Sequence, residues 1–94
     1  MCGKRYVSAG VHEKVDFLLQ LFMWSLVENL PPPKDYLQVF RLSPEGDKQK
    51  IKHQQEEPDY EQEYLLKTDA PIFIGKIYVI ADGEYSTMLL AEEY

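Results

Sequence analysis

Residues 72–91, IFIGKIYVIADGEYSTMLLA, contain two runs rich in β-branched and aromatic residues on either side of Asp82-Gly83. A type I′ turn needs positive φ at both central residues, so an Asp-Gly pair between apolar runs is a strong hairpin signal. The pattern therefore predicts strands over Ile72–Ala81 and Glu84–Ala91.

The two faces of this predicted hairpin are both largely apolar. With Asp82-Gly83 as the loop, Val79 is expected opposite Ser86 and Ile77 opposite Met88 on one side. The other side carries Tyr78, Ile80, Tyr85 and Leu89. One helix covers only one face of a sheet, so the second face is predicted to stay open and to form a candidate interface.

The sequence VDFLLQLFMWSLVENL (15–30) predicts the main helix, and Pro31-Pro32-Pro33 prevents its continuation. Asp16 is a candidate N-cap, and a start near His12 is the alternative. The expected core stripe consists of Val15, Leu19, Phe22, Met23, Leu26, Val27 and Leu30. Phe17, Leu21 and Trp24 lie on a flank away from this stripe, and they form either a second candidate interface or an internal second layer.

Shorter runs predict further strands over Lys4–Ala9, which Gly10 ends, and over Tyr36–Leu42, which a turn at residues 43–47 follows. Lys50–Gln55 and Tyr60–Leu66 alternate between polar and apolar residues around a bend that contains Pro58.

The second hairpin has a testable register. If Glu57 and Pro58 form the bend, Lys52 faces Glu63 and Gln54 faces Glu61, while Ile51 faces Tyr64 and His53 faces Gln62 on the other side. The alternating lysines Lys48, Lys50 and Lys52 are then one solvated row opposite acidic partners.

The predicted fold is α+β: one main helix packed on an antiparallel sheet of five to six strands, in the order β-α-β-β-β-β-β. Residues 1–94 are expected to form one domain, because the chain is shorter than a typical domain.

Charge and cysteine usage restrict the partners. The formal net charge is -6, which disfavours binding to nucleic acid or to an anionic membrane. Cys2 is the only cysteine, so an intramolecular disulfide is excluded and a cytoplasmic location is expected. Residues 1–10 lack the apolar stretch of a secretory signal, and residues 17–27 are too short to span a bilayer.

Catalytic motifs are not found: there is no glycine-rich phosphate loop, no G-x-S-x-G and no H-E-x-x-H. His53 and Glu56 have a spacing that could supply two metal ligands, but on a strand and bend they are expected on opposite faces, with His53 half-exposed. Ser86, His53 and Asp82 supply the residue types of a nucleophilic triad without any sign that they converge. No catalytic residue, cofactor or metal is therefore assigned.

Two other groups are candidate binding surfaces. The acidic residues Glu56, Glu57, Asp59, Glu61 and Glu63 could bind a basic protein, or they could form an ordinary solvated hairpin. Tyr60, Tyr64, Tyr78 and Tyr85 could line a small-molecule pocket, or they could be sheet residues with hydroxyls at the rim.

The segments YLQVFRLSP (36–44), QKIKHQQEEPDYEQEY (49–64) and DGEYSTMLLAEEY (82–94), with the helix that carries Trp24, resemble a family of short Firmicutes proteins known as domain of unknown function 960. The resemblance covers nearly the whole chain, and its C-terminal stretch is the most specific part. It implies a bacterial cytosolic one-domain protein and carries over no catalytic or binding residue.

The preferred functional hypothesis is a non-enzymatic protein-interaction module that is expected to form a homodimer through an apolar helix flank or sheet face. A small-ligand binder or minor enzyme with a tyrosine-lined pocket is one alternative. An acidic regulator of a basic protein is the other.

Overall fold

The computed structural model describes residues 4–30 and 35–94, and places two helices on one face of a six-stranded sheet. The strands are β1 (Lys4–Val7), β2 (Leu37–Glu45), β3 (Lys48–Gln55), β4 (Tyr60–Leu66), β5 (Gly75–Asp82) and β6 (Tyr85–Leu90). The helices are α1 (Ala9–Lys14), α2 (Phe17–Asn29) and a 3₁₀ turn at Ala91–Glu93. Cys2 and the predicted helix stop at Pro31-Pro32-Pro33 lie outside the described residues.

The strand order in the sheet is β1-β6-β5-β2-β3-β4. The α+β prediction is confirmed, with one correction: β1 runs parallel to β6, whereas every other neighbouring pair is antiparallel. Local patterns could not predict this pairing, because β1 and β6 lie at opposite ends of the chain.

The N-terminal segment differs from its prediction. The predicted strand Lys4–Ala9 ends at Val7, and Gly10 lies inside α1. Ser8 starts this helix because its Oγ accepts a hydrogen bond from the Val11 N–H at 3.1 Å. Asp16 caps α2 in the same way, accepting from the Leu18 N–H at 3.1 Å, which confirms the predicted N-cap.

The hairpin of β3 and β4 has the predicted register, with Lys52 opposite Glu63 and Ile51 opposite Tyr64. The preceding turn is tighter than predicted. β2 continues to Glu45 and pairs there with Lys48, which leaves only Gly46 (φ 63°) and Asp47 in the turn.

The hairpin of β5 and β6 is shifted by two residues from the prediction. Val79 lies opposite Met88 and Ile77 opposite Leu90, because the loop is Gly83-Glu84 rather than Asp82-Gly83. A shift of two residues leaves every side chain on its predicted face, since side chains alternate along a strand. The predicted assignment of β5 and β6 side chains to the two faces of the sheet is therefore correct, although the predicted register is wrong.

The core lies between the helices and the inner face of the sheet, which is the face that the helices cover. Its fully buried side chains include Phe40, Ile51, Ile77 and Met88 from the strands and Val11 and Met23 from the helices. The predicted α2 stripe is confirmed: Val15, Leu19, Met23 and Leu30 are buried, and Phe22, Leu26 and Val27 pack against the core. In residues 4–30 and 35–94, no helix is long and apolar enough to cross a membrane.

Candidate functional site

The outer face of the sheet, opposite the helices, carries a continuous group of mainly apolar side chains on its three central strands. Register pairs Ile80 with both Leu37 and Thr87, and Tyr78 with both Val39 and Leu89. These six residues form two adjacent rows, and we call them the outer patch. All six are half-buried, and the Lys76 Nζ lies 5.9 Å from the centre of the Tyr78 ring.

The aromatic rim of this patch comes from the chain termini and from β6. Tyr6 of β1 lies opposite Thr87, and its ring packs edge-on against Tyr85 with centroids 5.6 Å apart. Tyr94 packs edge-on against Tyr78 at 5.3 Å. The rim widens the apolar surface on both sides of the two rows.

The rest of the same face follows the ordinary rule for a sheet in water. At the outward positions of β3 and β4, the charged partners Lys52 and Glu61 approach to 3.2 Å, and Lys50 and Glu63 to 3.6 Å. Solvent-facing strands normally alternate apolar-in and polar-out. The outer patch breaks this rule, whereas β3 and β4 obey it at every described outward position except Leu65, which is exposed on β4.

A row of basic residues borders the outer patch. Arg41 lies between Lys76 on β5 and Lys52 on β3, both directly opposite it in the register. Lys52 has its acidic partner, whereas the Arg41 Nε donates only to the neutral Gln54 Oε1, at 2.7 Å. Like charges directly opposite each other destabilise a sheet. Arg41 and Lys76 have no acidic partner among the described residues, so the repulsion between them is uncompensated.

The predicted interface residues fall on two different surfaces. Tyr78, Ile80 and Leu89 belong to the outer patch, and Tyr85 belongs to its rim. Phe17 and Leu21 are exposed on α2, as predicted.

Trp24 is buried, which corrects its assignment to an exposed flank: only 6% of its surface is accessible. The Arg5 guanidinium lies 5.4 Å from the centre of its ring and pairs with Glu28. The parallel edge strand β1 supplies Arg5, so the first strand covers Trp24. Of the two alternatives for Trp24, the internal second layer is the correct one.

The acidic residues do not form one uniform surface. Glu61 pairs with Lys52 and Glu63 with Lys50, so the ion pairs run diagonally across the register, in which Lys52 lies opposite Glu63 as predicted. Glu56, Glu57 and Asp59 lie exposed in the β3–β4 loop, where the backbone N–H groups of Glu56 and Glu57 donate to Asp35 Oδ2. Although burial opposes the effect, these and other backbone donors hold the pKa of Asp35 below its usual value.

An apolar groove of about 390 Å³ lies between the first half of α2 and residues 66–71. Its lining is Leu18, Leu19, Leu21, Phe22, Leu66, Ala70 and Pro71, with Asp16, Gln49, Lys67 and Thr68 among them. Leu21 is one of the predicted interface residues, whereas the sequence analysis did not identify Leu18 or Leu66 as part of a binding surface. The groove needs the loop after β4 to fold back against α2, and no local pattern indicates that contact.

A larger and more open cleft of about 1090 Å³ lies at the other end of α2. Trp24 and Val79 are part of its apolar lining, and its charged residues have both signs, including Arg5, Glu28 and Asp35. Ser86 also lines it, but no histidine does.

His53 is fully buried, whereas the sequence predicted a half-exposed residue. Its ring stacks on Phe40 at 4.5 Å, and its Nε2 lies 2.6 Å from the Gln38 Oε1. Because that oxygen only accepts, Nε2 carries the proton, and Nδ1 has no partner among the described residues. Burial lowers the pKa of His53 to about 4. The predicted register already placed His53 on the same face as Ile51, and this was the signal that His53 is buried.

The structure does not assemble the other predicted constellations. Ser86 is on β6 and His53 on β3, with β5 and β2 between them, about 14 Å of strand spacing apart. Glu56 is exposed in a loop while His53 is buried, so they form no metal site. Within residues 4–30 and 35–94, no group of three or more His, Cys, Asp or Glu side chains could hold a metal ion.

The four tyrosines of the predicted pocket are also separated. Tyr60 and Tyr64 lie on the inner face with Gln55 and Ile51, whereas Tyr78 and Tyr85 belong to the outer face. The prediction of a pocket lined by all four tyrosines is therefore wrong, because side chains on opposite faces of one sheet do not converge.

These features define a small α+β protein with a mixed six-stranded sheet that is covered by helices on one face. The chain belongs to the family described as staphylococcal protein of unknown function (DUF960), whose model matches residues 4–93. The fold is similar to the crystal structure of a protein of unknown function from Enterococcus faecalis, with a TM-score of 0.86 and 24% identity over 98% of this chain and 91% of that one. No curated protein matches significantly.

Proposed function

We propose that this protein is a non-enzymatic, cytoplasmic interaction module that forms a homodimer through the outer patch. The observation that carries the proposal is the contrast within one sheet face: β6, β5 and β2 present apolar residues outward, while β3 and β4 present ion pairs. Apolar residues at solvent-facing sheet positions are typical of an interface.

The size of the surface predicts a modest affinity. The four adjacent strands from β1 to β2, with about six residues along the longer ones, give a footprint of about 15 Å by 20 Å, which is about 300 Å². A stable interface of standard size buries about 800 Å² per partner. The outer patch with its aromatic rim covers less than half of that area, so we expect a weak dimer with a dissociation constant in the upper micromolar range.

Charge indicates how the two copies are oriented. Lys76 and Asp82 each lie three residues from Val79 along β5, about 10 Å in opposite directions. A two-fold axis across the strands at the level of Val79 brings Lys76 of each copy to the Asp82 end of the other. The same axis stacks the row of Tyr78 on the row of Ile80.

The other in-plane orientation is unfavourable. A two-fold axis along the strands would place the Arg41 and Lys76 pair of one copy against the same pair of the other. Because these two positive charges have no acidic partner among the described residues, the repulsion would be uncompensated. The antiparallel arrangement therefore gives the better electrostatic match.

The first test is the oligomeric state in light scattering after size-exclusion chromatography, from low to high micromolar concentration. Ile80→Lys at the centre of the outer patch should convert the dimer into a monomer. Leu65→Lys is the matched control, because Leu65 is exposed on β4, outside the patch. A strict monomer for the wild type at high micromolar concentration contradicts the proposal, as does equal dissociation by both variants.

The second test is of orientation. Lys76→Glu and Asp82→Lys should each weaken the dimer, since each creates like charges at both symmetric contacts. A mixture of the two variants should form a heterodimer, because every contact then joins opposite charges. If the mixture stays monomeric while the wild type dimerises through the patch, the antiparallel orientation is wrong.

A further inference from the structure

We propose that the groove between α2 and residues 66–71 binds a linear amphiphile with an apolar tail and an anionic head, of which a free medium-chain carboxylate is the simplest. The volume, about 390 Å³, lies in the range of small-molecule sites. This proposal does not depend on the homodimer, since the groove lies on the helix side of the sheet.

The lining of the groove favours an apolar tail. Seven of its eleven residues are leucine, phenylalanine, alanine or proline. Leu18 is 69% exposed and Leu21 42% exposed, so much of their apolar surface now faces water. An inserted hydrocarbon chain would remove that surface from water.

The one fully buried polar side chain of the described groove lining, Gln49, has no free donor for a ligand. The Gln49 Nε2 donates to the carbonyl oxygens of Ser43 at 3.1 Å and Phe73 at 3.0 Å, and its Oε1 accepts from the Phe73 N–H at 2.8 Å. Both amide hydrogens are therefore used. A hydrogen-bond acceptor inserted beside Gln49 would lose its hydration without gaining a donor from this side chain, which favours an apolar inserted part.

The lining carries one charge of each sign, and the two differ in whether they already have a partner. Asp16 already accepts the Leu18 N–H as the N-cap of α2. Lys67, on the opposite wall, has no ion pair within the described residues. An ammonium group beside an apolar chamber pairs with a carboxylate while the tail occupies the chamber.

The direct experiment is a titration of the ¹⁵N-labelled full chain with decanoate, below its micelle-forming concentration, followed by amide chemical shifts. We expect saturable shifts at Leu18, Leu66 and Ala70 that fit one site. Decyltrimethylammonium has the same tail and a positive head, and should bind about tenfold more weakly, which corresponds to the loss of one charge-assisted contact.

Two variants with matched controls test the site. Ala70→Phe should fill the groove and abolish binding of both ligands, while Ala9→Phe, at an exposed position of α1, should leave both unchanged. Lys67→Gln should remove the preference for decanoate, and Lys48→Gln, at the exposed start of β3, should retain it. Dispersed amide spectra for each variant establish that it is folded.

Three results would overturn the proposal. The first is the absence of saturable shifts at the groove with decanoate, and the second is equal affinity for both head groups in the wild type. The third is binding only to phosphatidylglycerol vesicles, which would assign the surface to a membrane. Because Ile80→Lys should leave decanoate binding unchanged, failure of the dimer and failure of this site are distinguishable.

Discussion

The Ser8 hydroxyl donates a hydrogen bond to Glu93 Oε1 at 2.5 Å, which joins two residues from opposite ends of the chain. The same carboxylate accepts the backbone N–H groups of Leu90 at 2.8 Å and Gly10 at 3.2 Å. The Ser8 hydroxyl, these two N–H groups and the nearby charge of Lys14 lower the pKa of Glu93, although its partial desolvation opposes them. One carboxylate therefore attaches the C-terminal turn to the start of α1.

Ser8→Ala should destabilise the protein by about 1 kcal/mol, because it removes the N-cap of α1 and one partner of Glu93. Urea denaturation followed by circular dichroism measures the change. Glu92→Gln is the control, since Glu92 makes only an exposed ion pair with Lys14 at 3.7 Å and should leave stability nearly unchanged. Equal effects of the two substitutions would show that the Ser8 contact adds no stability.

Gly10→Ala should destabilise the fold by about 1–3 kcal/mol through overpacking. A Cβ at Gly10 would lie 2.7 Å from the Leu90 Cδ1 and 2.8 Å from the Glu93 Cδ. The cost should shrink in a Glu93→Ala background, because one of the two clashes is then gone. Gly46→Ala is the control: its cost arises from positive φ in open space and should not depend on Glu93.

His53 should make stability fall as the pH decreases from about 6.5 to about 4. The folded pKa is about 4 against an ordinary value of 6.5, so the unfolded chain takes up the proton first. The loss reaches at most about 3 kcal/mol and levels off below the folded pKa. His53→Phe should flatten this part of the stability–pH profile in urea denaturation. His12→Gln at an exposed position should not, and equal slopes for wild type and His53→Phe would contradict the prediction.

Trp24→Ala should cost about 3 kcal/mol or more, because Trp24 is a core residue. Phe17→Ala in the same helix should change the free energy of unfolding by less than about 0.5 kcal/mol, since Phe17 is 66% exposed. Chemical denaturation of both variants separates the two roles. Small effects for both would contradict the assignment of Trp24 to the core.

The sequence predicted the parts of this structure that depend on short-range patterns. The alternation in residues 50–66 predicted the register of β3 and β4, because a slip of one residue would have placed Ile51 in water. The carboxylate of Asp16 predicted the start of α2 for an equally local reason. At the β5–β6 turn the pattern predicted the faces correctly and the register wrongly, since a shift of two residues leaves each side chain on the same face.

The candidate sites also combine features that follow from local sequence patterns with contacts that do not. The sequence by itself determined that the hairpin of residues 75–90 has two apolar faces, because that property follows from the alternation of side chains along a strand. Only the tertiary structure decided that β2 completes the outer patch, that β1 supplies Arg5 to cover Trp24, and that the loop after β4 closes a groove against α2. These contacts join segments far apart in the chain, and their partners are selected by the packing of the whole sheet rather than by any local pattern.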